Sequence, residues 1–152
     1  MKKIFFLVLA GSIAQACPKI NDTFACVFEG PGYKVEADMA IKTEIVPGGQ
    51  KMTVTVTVDG ESSSDSVSLT PISDRTDEVG IRRVSYCNGD KIVTDSSYGK
   101  LKAQAVLAIQ NGNLAVRGQS VNFYYDEDAN GKVIPGSEEY VVEDSSFFCK
   151  KK

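Results

Sequence analysis

From Tyr33 onward, apolar and polar residues alternate almost one by one. Tyr33, Val35, Ala37, Met39, Ile41 and Ile45 fall on one face of the run 33–45, and Lys34, Glu36, Asp38, Lys42 and Glu44 on the other. Met52, Val54, Val56 and Val58 alternate in the same way with Thr53, Thr55 and Thr57. A period of two, rich in Val, Thr and Tyr, marks strands with one face in a core and the other in water, as in antiparallel sheets. Turn residues punctuate these runs at Pro47-Gly48-Gly49, Asn88-Gly89 and Asn111-Gly112. Asn-Gly between alternating segments is a hairpin signal, because both residues accept positive φ. Asp59-Gly60 also ends a strand, and Glu61-Ser62-Ser63-Ser64 after it reads as a longer, looser loop. Residues 73–78 read as a polar connection. The pattern predicts strands near 23–29, 32–46, 50–59, 65–71, 80–87, 90–95, 100–110, 113–125 and 139–148, with a short piece at 132–134. The run 100–110 has helical propensity in its Ala, Leu, Lys and Gln. However, Leu101, Ala103, Ala105, Leu107 and Ile109 alternate and lead into Asn-Gly, so it is read as a strand.

Eight to ten sequential strands with short connections make an all-β, antiparallel up-and-down meander. A sheet of that size closes into a barrel, fully or nearly, or folds into a β-sandwich. The long alternating run at 33–45 suits a bent barrel strand better. Residues 17–28, Cys-Pro-Lys-Ile-Asn-Asp-Thr-Phe-Ala-Cys-Val-Phe, resemble the start of small exported lipocalin-like (calycin) barrels, in which an apolar residue, a turn and an aromatic open the first strand. The chain departs from that pattern in carrying Asn21-Asp22 where a Gly is usual, and it contains no Trp. The resemblance implies a barrel able to hold a small ligand inside.

The first sixteen residues read differently. Lys2 and Lys3, the apolar run Ile4–Ala10 and the small-x-small site Ala14-Gln15-Ala16 have the layout of a secretory signal peptide. The expected organisation is therefore a leader at 1–16 and a single β-barrel domain at 17–152, periplasmic or secreted. Of 17 Lys and Arg, removal of Lys2 and Lys3 leaves 15 against 20 Asp and Glu, a net charge of about −5. With no basic stripe, this argues against nucleic acid and anionic membranes as partners. Lys150-Lys151-Lys152 reads as a solvated tail, and the protein is expected to be a monomer. Four cysteines in an exported chain imply two disulfides, for which three pairings exist. Cys17–Cys26 around a short hairpin and Cys87–Cys149 is the preferred set. A rival reading makes Cys17 the lipid-bearing residue of a bacterial lipoprotein, the one route by which the membrane would become a partner.

The sequence contains no His, which removes His-based catalytic triads and His-based zinc or iron sites. The acidic neighbours Asp77-Glu78 and Glu138-Glu139 point to opposite faces of a strand and read as solvated rim rather than as an acid–base pair. Gly30-Pro31-Gly32 is a turn. Asp126-Glu127-Asp128-Ala129-Asn130-Gly131 matches the first half of a calcium loop. It offers Asp126, Asp128 and Asn130 as calcium ligands with Glu138 as a fourth, and its alternative reading is an acidic hairpin loop. Phe123 and Tyr125 share a face with Val121 and are expected to enter the core or line a cavity, with Tyr124 outside. Arg82 shares a face with Val84 and Tyr86 and is the candidate inward arginine, suited to a carboxylate-bearing ligand. The function expected from these features is non-catalytic binding of a small apolar or lipid-like ligand in the barrel interior. The alternative is a surface-acting module or inhibitor that binds another exported protein.

Overall fold

The computed structural model describes residues 17–30, 32–70 and 73–152. The predicted leader at 1–16 and Pro31 of the predicted turn lie outside them. Eleven antiparallel strands form one curled sheet: β1 (Asn21–Gly30), β2 (Tyr33–Val46), β3 (Gly49–Val58), β4 (Glu61–Thr70), β5 (Ser73–Thr76), β6 (Arg82–Asn88), β7 (Lys91–Tyr98), β8 (Leu101–Gln110), β9 (Asn113–Tyr124), β10 (Glu139–Asp144) and β11 (Phe147–Lys151). Their order is β4-β3-β2-β1-β11-β9-β8-β7-β6-β5, with β10 beside β9. Among the described residues there is no helix. The all-β meander is therefore as expected, with one more strand among the described residues than the upper count.

Each hairpin follows from its turn residues. Val58 pairs with Glu61 across Asp59 (φ 50°) and Gly60 (φ 85°), and Gln110 pairs with Asn113 across Asn111 (φ 51°) and Gly112 (φ 80°). Two left-handed residues give the tight turn whose twist matches the flanking strands. The loose loop expected at 61–64 is thus strand. Its serines are held by outer-face hydroxyl pairs, Thr53–Ser66 at 2.9 Å, Thr55–Ser64 at 2.7 Å and Thr57–Ser62 at 2.7 Å. The polar stretch 73–76, expected as a connection, forms β5 against β6.

The run expected as one strand at 139–148 is broken. β10 pairs with residues 119–124 of β9, and β11 pairs with residues 114–116. The break is built around Gly118: Ser145 N–H donates to the Gly118 carbonyl (2.9 Å), and Gly118 N–H donates to Ser146 Oγ (3.1 Å). Past Gly118, β9 parts from β8. Val121 N–H then reaches Ser96 Oγ on β7 (2.9 Å), and Tyr140 of β10 stacks on Tyr98 with ring centroids 3.5 Å apart. The β9–β10 end therefore lies across the inner side of β7.

The core is the inner face of the curl. Phe24, Cys26, Met39, Ile41, Met52, Leu69, Ile92, Leu114 and Cys149 are buried together, with Cys17 and Ile20 capping one end. The stretch 17–20 is held there by Ile20 N–H to Thr43 Oγ1 and Thr43 N–H to the Ile20 carbonyl, both 2.8 Å. The expected disulfide pairing is corrected. The bonds are Cys17–Cys87 and Cys26–Cys149, with Cα atoms 5.2 Å and 4.4 Å apart. The short hairpin proposed around 20–23 does not form, because Asn21–Gly30 is one extended strand that carries Cys26 away from Cys17. β11 then sets Cys149 directly opposite Cys26.

Gly118 tests this framework. Its φ is 126°, and a Cβ there would collide with the Gln104 carbonyl and crowd Ala105 Cα at 2.9 Å. Gly118→Ala should destabilise the protein by about 3 kcal/mol in urea unfolding, since backbone cannot move aside as a side chain can. Gly112→Ala, with nothing within 4 Å, carries the φ cost alone and should lose less.

Candidate functional site

Burial along the inner face changes from one end of the barrel to the other. On β3, Met52 is buried, whereas Val54, Val56 and Val58 are half-buried. On β4, Leu69 is buried and Val67 half-buried, and then Asp65, Ser63 and Glu61 stand exposed. The stretch 17–20 seals the first end. The second end is a mouth in which Val56, Val58, Asp59, Glu61, Ser62 and Ser63 line a hollow of about 570 Å³. Phe28 and Phe147, edge to face at 5.2 Å, lie half-buried against the same core.

The sheet's two edges, β4 and β5, meet through side chains. Arg75 of β5 donates to Asp65 of β4 at 2.7 Å and 3.3 Å. Next to it, Arg83 of β6 is paired with Asp77. The Arg75 guanidinium holds the Asp65 carboxyl below its usual range, against some burial. Burial pushes the Asp77 carboxyl up, but hydrogen bonds from Arg83 and the Ile81 N–H outweigh it and leave it lowered. The seam is thus an alternation of charges bridging β4, β5 and β6.

The inward arginine is Arg83, which corrects the choice of Arg82. Cys87, bonded to Cys17 in the core, fixes the inner face of β6 as Cys87, Ser85 and Arg83, one residue out of step with the expectation. Arg82 is exposed and paired with Asp74 (2.8 Å and 2.5 Å). It borders an outer-surface hollow of about 630 Å³ with Val84, Asp95, Lys102, Gln104 and Gly118. That hollow's polar side chains largely satisfy one another, as in Gln104 to Asp95 at 2.8 Å. The mouth at Val56 and Val58 carries the apolar inner face of β3 out to the surface.

Phe123 is half-buried, 4.9 Å from Tyr140 and 5.7 Å from Tyr125. Tyr125 lies past the end of β9 and is exposed, so it does not enter the core as expected. Tyr124 points outward and donates to Glu143 at 2.5 Å. The calcium candidates are not brought together. Asp128 Oδ1 accepts from Asn130 N–H (2.8 Å) and Lys132 N–H (3.0 Å), and Glu138 Oε2 accepts from Gly136 N–H (2.7 Å). These carboxylates hold the loop's own backbone, and the described residues contain no group of three or more His, Cys, Asp or Glu placed to hold a metal. Of the residues the sequence did not single out, Asp65 and Arg83 sit in predicted strands and Arg75 in the stretch read as a polar connection. The available signal was Cys87: a disulfide-bonded cysteine belongs inside and sets its strand's inner face.

No protein-family model matches the chain, and no curated protein matches it in sequence. Among solved structures it is similar to the wild-type fluorescent protein UnaG, a fatty-acid-binding-protein-like β-barrel, with a TM-score of 0.52 and 14% identity over 87% of this chain and 96% of that one. At that identity the likeness shows the fold alone, a calycin-like β-barrel.

The seam gives stability a definite sign with pH. Asp65 and Asp77 have lowered pKa values in the fold, so their pairs support it above the ordinary carboxylate range, and this support is lost as pH falls through the lowered values. Because the Asp65–Arg75 pair is exposed and the Asp77–Arg83 pair is still partly in water, the effect is modest. Between about pH 5 and about pH 2.5, the urea midpoint should fall further for the unaltered protein than for Asp65→Asn/Asp77→Asn.

Proposed function

We propose that this is an exported, non-catalytic binding protein that takes a small apolar ligand in the open mouth of its barrel. The observation that carries this is the burial gradient: one end is packed and sealed, while the other presents half-buried valines over a hollow of about 570 Å³. Pockets of a few hundred Å³ with apolar floors and few polar groups suit small ligands. The fold likeness to UnaG supports a barrel used for binding. Two disulfides and the leader-like residues 1–16 support export. Cys17, bonded to Cys87, has no thiol left for a lipid, which favours a released protein over an anchored one.

The charges narrow the ligand class. Both arginines at the seam are already paired with aspartates, and the rim of the hollow carries Asp59 and Glu61. An anionic head would be repelled there or would have to displace an existing ion pair, at the cost of leaving a carboxylate unpaired. The preferred ligand is therefore apolar with a neutral or cationic head rather than a fatty acid.

N-phenyl-1-naphthylamine, a neutral apolar fluorophore, should brighten on binding the protein more strongly than anionic anilinonaphthalene sulfonate. Val58→Trp, which fills the hollow, should weaken binding by roughly tenfold or more with the melting temperature nearly unchanged. No brightening, or equal binding by the Val58 variant, would refute the proposal.

A further inference from the structure

We propose that the free edge of β4 at Glu61–Ser64 binds an extended, basic segment of another protein by strand addition. β4 stands at one end of the strand order, and among the described residues only β3 pairs with it. The turn at Asp59-Gly60 makes Val58 and Glu61 a bonded pair, so Glu61, Ser63 and Asp65 turn their backbone groups toward β3. By the same alternation Ser62, Ser64 and Ser66 turn theirs to the open side. There the Ser66 N–H donates to Asp65 Oδ1 at 2.8 Å, and Arg75 donates to the same carboxylate. The seam therefore covers the edge from Asp65 onward. It leaves the N–H and C=O of Ser62 and Ser64 without a strand partner, and residues 61–64 are all exposed. Proteins ordinarily guard such an edge with Lys, Pro, a bulge or a cover. Residues 61–66 contain no Lys or Pro, and their pairing with β3 runs without a register shift. The hydroxyl pairs to Thr57 and Thr55 hold Ser62 and Ser64 in place. An incoming segment thus meets a strand already ordered, and main-chain bonds supply affinity.

Side chains set the class of partner. In an added strand, successive side chains alternate between the two faces of the sheet. One opposite Ser63 points to the inner side, over the hollow lined by Val56 and Val58, and suits an apolar group. One two places along meets Glu61, with Asp59 on the same hollow. Neither carboxylate has an ion-pair partner among the described residues. Lys34 and Lys152 border other hollows that Asp59 lines, but they are paired with Glu36 at 3.3 Å and Asp38 at 2.5 Å. The complement is a Lys or Arg two residues from an apolar side chain. A second copy paired edge to edge about Ser63 would set Glu61 opposite Asp65 of the partner subunit. Acid would face acid, so the charges select a foreign basic segment over a copy. The proposal rests on the free backbone of β4 and holds whether or not the hollow also takes a small ligand.

Heteronuclear NMR and amide exchange on the disulfide-intact protein test this with the peptide acetyl-Thr-Lys-Thr-Leu-Thr-amide. Titration from about 10 µM to about 5 mM covers weak to moderate association. The peptide should shift the Ser62 and Ser64 amides and slow their exchange. Methylating the nitrogen of its central Thr should weaken binding by roughly tenfold, and so should replacing its Lys by Glu. Ser64→Pro removes an outward N–H without touching the bonds to β3 and should weaken binding as much. If that variant folds poorly, Glu61→Lys keeps the test, since it should prefer the Glu peptide to the Lys peptide. Unshifted Ser62 and Ser64 amides at the highest concentration overturn the proposal. Binding indifferent both to the methyl group and to the charge at residue 61 overturns it as well. So does protection of these amides that grows with protein concentration in the absence of peptide, which would give the edge to a second copy.

Discussion

The fold depends on one strand. β11 lies between β1 and β9 and, among the described residues, is the one strand whose backbone ladders join β1–β4 to β5–β9. Its register is fixed by Cys149 opposite Cys26, and both cysteines are buried at the centre of the core. Closing a loop across a sequence separation of 123 removes a large part of the unfolded chain's freedom, on the order of 4–5 kcal/mol in the chain-entropy account. The same bond decides which side chains face in along β11 and so throws Phe148 outward. The buried inner face and the outward Phe148 are two consequences of one covalent constraint.

At the other margin the barrel closes differently. Among the described residues no backbone ladder joins β4 to β5, and the edges are joined by Asp65–Arg75 with Asp77–Arg83 beside it. Side-chain pairs in contact with water hold less firmly than strand pairing. From Asp65 onward they also block the exposed strand edges that would otherwise recruit other chains. The protein is thus rigid along the β1–β11–β9 line and softer at the seam, next to the hollow over Val56 and Val58. The proposed binding mouth lies at that softer side, in keeping with the rule that segments opening for a ligand come from the less stable end of a structure.

Much of this could be read from residue order. The alternation at 33–45 and 52–58 named Ala37, Met39 and Ile41 on β2 and Met52, Val54, Val56 and Val58 on β3 as inner positions correctly, because a half-buried strand allows no other spacing, although Tyr33 and Ile45 at the ends of β2 stand exposed. Asn111-Gly112 and Asp59-Gly60 marked their turns because few residues accept positive φ. What escaped was long-range or context-dependent. Ser62 to Ser66 have poor strand preference, and only threonines on β3 make a strand of them. The break at Ser145–Ser146 exists because Gly118, far off in sequence, changes its partner there. Cys26 meets Cys149 only once β11 is in place, so spacing favoured Cys17 wrongly. Arg82 and Arg83 are equivalent in a linear pattern, and the Cys17–Cys87 bond alone tells them apart. The mouth was the least legible part, since its valines look the same as core valines until burial is known.

Hydrogen–deuterium exchange of Cys26→Ala/Cys149→Ala beside the unaltered protein tests the role of β11 most directly. If that strand unites the two halves, protection should fall together across β1–β4 and β6–β9 once the bond is removed. Faster exchange confined to β1 and β11, with both halves otherwise as protected as before, would contradict the account.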